Sequence, residues 1–277
     1  MRVRSNRLWI AAATILIAGE PVIAMQMQEI PFKLLTGHKI VVRGTIEGGH
    51  ELNMLVDTGA DCTVIDMRVT KRLDLALLAH TVEYVAVGKV EKAPLALVRN
   101  LQVGTINTSL ACVAGKIPID GIDMILGLNV LRTRNFAIDY EQQKIVFGPW
   151  EAPSASAPFE SDPTLIVIKA QVHDQTIRML VDTGAATFRL FESGPRIWQY
   201  RRLTERQAST PHMGGGFRSS ELPLKALRIG PTEWKELMAM VIDNPRPERW
   251  DAVLGVGSLG LKRIHFDFER RILSWEK

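Results

Sequence analysis

The chain has 277 residues, 46% of them hydrophobic and 23% charged, with a formal charge of +4. That length suits two modest domains at roughly 100–200 residues each, and the apolar content is ample for cores, which excludes disorder over most of the chain. Beyond the N-terminus no apolar run approaches the ~20 residues a membrane span needs. With Arg2, Arg4, Arg7 and Glu20 set aside, the remainder carries only +2, which gives no reason to invoke nucleic acid.

The N-terminus has the pattern of an export signal. Arg2, Arg4 and Arg7 precede an apolar run from Leu8 to Ala18, and Gly19 and Pro21 then break any helix before Val22-Ile23-Ala24. A basic start, an apolar stretch of about 7–15 residues and small residues before the cut describe a secretory signal. Cleavage is expected after Ala24, which places the mature chain in a periplasm or outside the cell. The alternative is an uncleaved anchor, the one circumstance in which a membrane becomes a partner. Cys62 and Cys112 are the only cysteines. An oxidising compartment permits a bridge between them, while two buried thiols are equally acceptable, and the sequence leaves both open.

The remainder is a tandem repeat. Leu55-Val56-Asp57-Thr58-Gly59-Ala60 returns as Leu180-Val181-Asp182-Thr183-Gly184-Ala185, 125 positions later. Asp123-Met124-Ile125-Leu126-Gly127 returns as Asp251-Ala252-Val253-Leu254-Gly255, and Phe136-Ala137-Ile138-Asp139-Tyr140 as Ile264-His265-Phe266-Asp267-Phe268, both at 128. Constant order with a small drift is what loop insertions leave in two copies of one unit. The organisation expected is a signal over 1–24, one lobe over 25–147, a linker over 148–163 and a second lobe over 164–277. Pro, Ser and Ala dominate the linker, which predicts an extended, poorly packed join.

Within the lobes the pattern is mainly β. Ile40–Ile46 and Glu51–Val56 read as a hairpin across Gly48-Gly49, matched by 165–168 and 177–181 turning at His173-Asp174. Ile138–Phe147 reads as a second hairpin, echoed by Phe266–Trp275. Short helices are expected at Met67–Leu73, Asn129–Arg134 and Pro195–Arg206.

Each repeat sets an Asp after an apolar strand and before Thr-Gly. A carboxylate there is costly unless it is hydrogen-bonded or working. The Thr hydroxyl can reach the other lobe, and the Gly allows a tight turn with an amide N–H beside the carboxylate. Two such turns facing each other would make Asp57 and Asp182 share one proton, because like charges so close cannot both ionise. One would act as base on a water and the other as acid on a carbonyl oxygen. Thr58, Gly59, Thr183 and Gly184 would support the two turns. A single Asp-Thr-Gly is weak evidence; two at matched places in a duplicated unit are strong.

With these residues the chain resembles the aspartic proteases. Leu55 through Val64, together with Ile125-Leu126-Gly127-Leu128-Asn129-Val130-Leu131, is similar to the retroviral type, here with two lobes fused in one chain. The resemblance implies two homologous β-barrel-like lobes of the acid-protease fold, an interlobe cleft, an extended polypeptide as substrate, and flaps closing over it. Nothing in the sequence suggests a cofactor or a metal, since the scattered histidines offer no ligand spacing. Flap candidates are Tyr84 and Gly88 in the first lobe and Gly214, Gly215 and Gly216 in the second. Asp61 is a substrate-binding candidate, although Leu128 stands where the retroviral type carries the Arg that pairs with it, and Ala186 replaces Asp61 in the second lobe. The reading is a monomeric aspartic endopeptidase; the alternative is an exported, non-catalytic peptide-binding module on the same fold.

Overall fold

The computed structural model describes residues 28–35, 39–86, 89–148, 153, 155–173, 175–191, 207–210, 217–242 and 249–277, with the side chains of 85, 86, 89, 207–210 and 217–220 excepted. The helix expected at Pro195–Arg206 and the export signal at 1–24 lie outside the described residues. Among those described, no helix is long and apolar enough to cross a membrane.

Among the described residues, ten strands form the first lobe: β1 (Gln28–Leu35), β2 (Lys39–Ile46), β3 (His50–Val56), β4 (Val64–Asp66), β5 (Leu77–Ala86), β6 (Lys89–Val103), β7 (Ile106–Gly115), β8 (Met124–Leu126), β9 (Phe136–Asp139) and β10 (Lys144–Phe147). The second lobe repeats them as β11 (Ala155–Pro158), β12 (Val167–Val172), β13 (Gln175–Asp182), β14 (Phe188–Phe191), β15 (Gln207–Thr210), β16 (Phe217–Ile229), β17 (Thr232–Ile242), β18 (Ala252–Gly255), β19 (Arg263–Asp267) and β20 (Ile272–Glu276). The expected hairpins are present as β2–β3, β9–β10, β12–β13 and β19–β20. The short helices appear as α1 (Met67–Arg72) and α2 (Leu128–Leu131). Asp66 caps α1 by accepting the Arg68 N–H at 2.7 Å, which relieves one of the unpaired amides at a helix start.

Each lobe closes on itself in the same way. The order β2-β3-β8-β4-β7-β6-β5, with β2 also touching β6, is repeated by β12-β13-β18-β14-β17-β16-β15, with β12 touching β16. β8 inserts between β3 and β4, parallel to one and antiparallel to the other, and β18 does the same between β13 and β14. The repeated Asp at the start of that strand has a structural task. Asp123 accepts the Asn53 N–H at 2.9 Å and Asp251 the Arg178 N–H at 2.8 Å, which locks the inserted strand to its neighbour. At the β6–β7 and β16–β17 turns, Gly104 and Gly230 have φ of +58° and +52°, the left-handed region glycine enters without strain.

The lobes join through a six-strand layer, β11-β20-β19-β9-β10-β1. At its centre β9 and β19 run antiparallel with Ile264 opposite Ile138, His265 opposite Ala137 and Phe266 opposite Phe136. With the 128-residue repeat, Ala137 and His265 are equivalent positions facing each other, so the pseudo-twofold axis passes between them. Phe136 and Phe266 stack across the join with centroids 4.8 Å apart. One apolar core therefore runs from Ile30 through both lobes to Trp275.

Within 148–163 the chain is extended as expected, but part of it is packed rather than loose. Ala155–Pro158 is the strand β11, paired with β20 from Ala155↔Trp275 to Pro158↔Ile272, and Ala157 is buried. It holds in the second lobe the place that β1 holds on β10. A Pro- and Ser-rich edge strand lacks apolar alternation, so its pairing is invisible in composition.

Candidate active site

β3 and β13 deliver the two Asp-Thr-Gly turns to the lobe junction. In each lobe the inserted strand ends in a glycine lying against the turn. A side-chain carbon on Gly127 would meet the Cys62 carbonyl oxygen at 2.5 Å, and one on Gly255 would meet the Thr187 carbonyl oxygen at 2.5 Å. These contacts explain why the Leu-Gly ending is repeated.

The two threonines lock the turns together. Thr58 and Thr183 are buried. The Thr58 hydroxyl donates to the Val181 carbonyl at 2.8 Å and accepts the Thr183 N–H at 3.1 Å. The Thr183 hydroxyl donates to the Val56 carbonyl at 2.8 Å and accepts the Thr58 N–H at 3.0 Å. Four bonds cross between lobes and leave neither hydroxyl with an unmet donor. A net value of about 1 kcal/mol each makes this a substantial latch.

The glycines bring the carboxyl groups close. A side-chain carbon on Gly59 would lie 2.5 Å from the Asp182 carboxyl carbon, and one on Gly184 would lie 2.7 Å from that of Asp57. Asp57 accepts the Gly59 N–H at 2.9 Å, with the Ala60 amide also acting on it, and Asp182 accepts Gly184 at 2.7 Å and Ala185 at 2.9 Å. Each aspartate keeps some exposed surface but lies deep among protein atoms. Burial first, then the negative charge of Asp182, lifts Asp57 well above the usual carboxylate range. Burial also raises Asp182, against the opposing pull of the Arg189 charge, the hydrogen bond from Asp57 and the two amides. The two carboxyl groups lie against each other, and burial raises both, Asp57 further by the charge of Asp182.

Two family models match the chain. The one described as gag-polyprotein putative aspartyl protease covers residues 42–133, and the one described as aspartyl protease covers residues 168–261. The chain is two retropepsin-like aspartyl protease domains in tandem. Each match contains one Asp-Thr-Gly turn and its inserted strand, so the family assignment and the threonine latch rest on the same residues. No curated protein matches the chain.

The other predicted residues are placed as follows. Tyr84 sits on β5 opposite Glu91 of β6, near the end of a hairpin, and donates to Glu91 at 2.9 Å. Burial pushes its phenol up to about 12, helped by that bond. Gly88, Gly214, Gly215 and Gly216 lie outside the described residues. Asp61 is exposed at the edge of the first turn, and Leu128 is buried behind it. Cys62 and Cys112 are free thiols, which of the two alternatives is the unbridged one. Burial raises both to about 12, with Asp61 adding to the effect on Cys62. Among the described residues no group of His, Cys, Asp or Glu side chains could hold a metal ion.

Arg189 was not anticipated. It follows Asp182 by seven positions, as Val64 follows Asp57, so a guanidinium replaces an aliphatic side chain at matched places in β14 and β4. A charged residue within an apolar strand was the available signal, visible once the two turns are aligned without a gap.

Proposed function

We propose that the chain is an aspartic endopeptidase that hydrolyses peptide bonds with a water activated between Asp57 and Asp182. The observation that carries this reading is the threonine latch, which holds the turns of two lobes together so that their carboxyl groups lie side by side. In the reaction the ionised carboxylate takes a proton from water as the oxygen attacks the scissile carbonyl carbon. The protonated carboxyl gives its proton to the carbonyl oxygen, forming a neutral gem-diol. Collapse of that diol breaks the C–N bond, with one proton passing to the leaving amine and the other returned to the pair. No cofactor or metal enters these steps. The substrate in this reading is an extended polypeptide, bound as an added strand. The site is complete in one chain, so a monomer suffices, and residues 1–24 direct export.

The test uses the chain from Met25 onward with Asp57→Asn and Asp182→Asn beside it. Each is incubated with a peptide library from denatured proteins across acid to neutral pH, and new termini are read by mass spectrometry. Cuts made by the parent and absent from both variants are expected. A variant that continues to cut contradicts the two-carboxyl mechanism, and a folded parent that cuts nothing at any pH contradicts the reading and favours a peptide-binding module.

A further inference from the structure

The two faces that flank the carboxyl pair differ in kind. Beside Asp57, Leu55, Val64 and Ile125 form a buried apolar cluster with Ala93, Val113, Ile117 and Ile122. The matched positions beside Asp182 are Leu180, Arg189 and Val253, of which only Leu180 and Val253 join the corresponding cluster. Sheet register sets the relation. Arg189 lies opposite Val253, and Val253 lies opposite Leu180, so the three stand abreast across β14, β18 and β13. Asp182 follows Leu180 by two residues on the same strand and so shares its face. Phe188 and Leu190, which flank Arg189, point the other way into the main core. The guanidinium is therefore held on the face that carries Asp182, half-buried, with its Nε buried and without a hydrogen-bond partner among the described residues.

We propose that Arg189 is a positioning residue that assigns the shared proton to Asp57 and keeps Asp182 as the ionised member of the pair. The groups acting on it support this. The charges of Asp182 and Asp57 both act on Arg189, and the charge of Arg189 is the largest influence opposing burial at Asp182. The neighbouring strands β18 and β17 set Val253 and Met240 opposite Arg189, which bring no charge. Burial disfavours the guanidinium's charge, yet an arginine in a protein does not give up its proton. It is compensated by keeping a carboxylate ionised nearby. Sequence symmetry would make the two aspartates interchangeable; Arg189 makes them unequal, with Asp182 the base toward water and Asp57 the acid toward the carbonyl.

This role rests on the proteolytic reading for its consequence but not for its test. Protein labelled with carboxyl-13C aspartate is titrated by NMR, with Asp57→Asn and Asp182→Asn spectra to assign the two resonances. In the parent, the Asp182 signal should titrate at lower pH than that of Asp57. In Arg189→Val, which copies the first lobe, the lower step should move up by about 1–3 pH units, the range for losing a close opposite charge. Arg189→Gln provides the same test if the valine variant does not fold, and Arg189→Lys should restore the parent order. An unmoved lower step in a folded Arg189→Val or Arg189→Gln overturns the proposal, as does a parent in which Asp57 ionises first. The acid limb of denatured-casein cleavage should follow the NMR shift. If the parent cuts nothing while the NMR shifts appear, the proteolytic reading fails and the role of Arg189 stands.

Discussion

The two lobes repeat the same ten strands, and the places where they agree and differ follow a rule. At the threonine latch the match is complete, since Thr58 and Thr183 make the same two bonds in opposite directions. Along the β9–β19 join the match is already relaxed. Arg263 and Asn135 are equivalent positions, as are Asp139 and Asp267. One pairing is an ion pair, Arg263 to Asp139 at 2.6 Å, and the other is an amide contact, Asn135 to Asp267 at 3.3 Å. Beside the carboxyl pair, Val64 and Arg189 are unlike altogether. A bond that each lobe makes to the other's backbone cannot change on one side alone, whereas a side chain facing its own aspartate can. Duplication thus preserves the geometry of the pair and leaves its electrostatics free to diverge.

The symmetric features should fail equally from either side and most severely. Asp57→Asn and Asp182→Asn should each lower cleavage of denatured casein by at least about 10³-fold, the upper part of the range for a lost general acid or base. Similar losses would fit one shared proton, and a tenfold imbalance or more would sharpen the roles assigned through Arg189. Gly59→Ala and Gly184→Ala set a methyl group against the opposing carboxyl, so each should separate the pair and cost about 10²-fold in rate. Steady-state rates with fold checked by circular dichroism read this, and a fully active Gly59→Ala would show that the carboxyl groups are not so close.

Stability should separate the two kinds of feature. Thr58→Val and Thr183→Val each strand a buried carbonyl and a buried amide, for a loss of about 2–4 kcal/mol in urea unfolding. A large loss from one and none from the other would break the symmetry of the latch. Smaller effects appear in the pH dependence, and with opposite signs. Asp139 is buried and held below the usual range by the Gln142 amide and Arg263, against the cost of burial. Its contribution is present above about pH 4, the unfolded carboxyl value, and lost as pH falls through the lower folded value. Arg263→Gln should therefore destabilise at neutral pH and converge on the parent in acid. Asp57 is raised, so its folded state is favoured below about pH 4 and penalised as pH rises through the folded value. Asp57→Asn should then be more stable than the parent at neutral pH, with the gain vanishing near pH 3. A variant of unchanged stability at pH 7 would contradict the raised carboxyl.

Much of this was legible because duplication labels its own important residues. The repeated Asp-Thr-Gly, the Leu-Gly ending and the Asp before it each turned out to hold a specific contact, through Thr58, Gly127 and Asp123. The β2–β3 and β12–β13 hairpins were readable from alternation. The strands β1 and β11 were not, since edge strands such as Ala155–Pro158 gain their pairing from distant partners and carry no pattern of their own. The join between β9 and β19 was equally hidden, because pairing between lobes is a tertiary fact. Arg189 was missed for a different reason: attention to what the repeats share passes over the position where they differ.

The central claim is that the two lobes of one chain build one site. Asp57→Asn and Asp182→Asn chains, mixed in equal amounts and refolded together, test it with denatured casein as substrate beside the parent at serial dilutions. The account predicts a silent mixture and a parent whose rate per chain does not change on dilution. Recovery of cleavage in the mixture, or a parent rate that collapses on dilution, would show that the site is assembled between chains and contradict it.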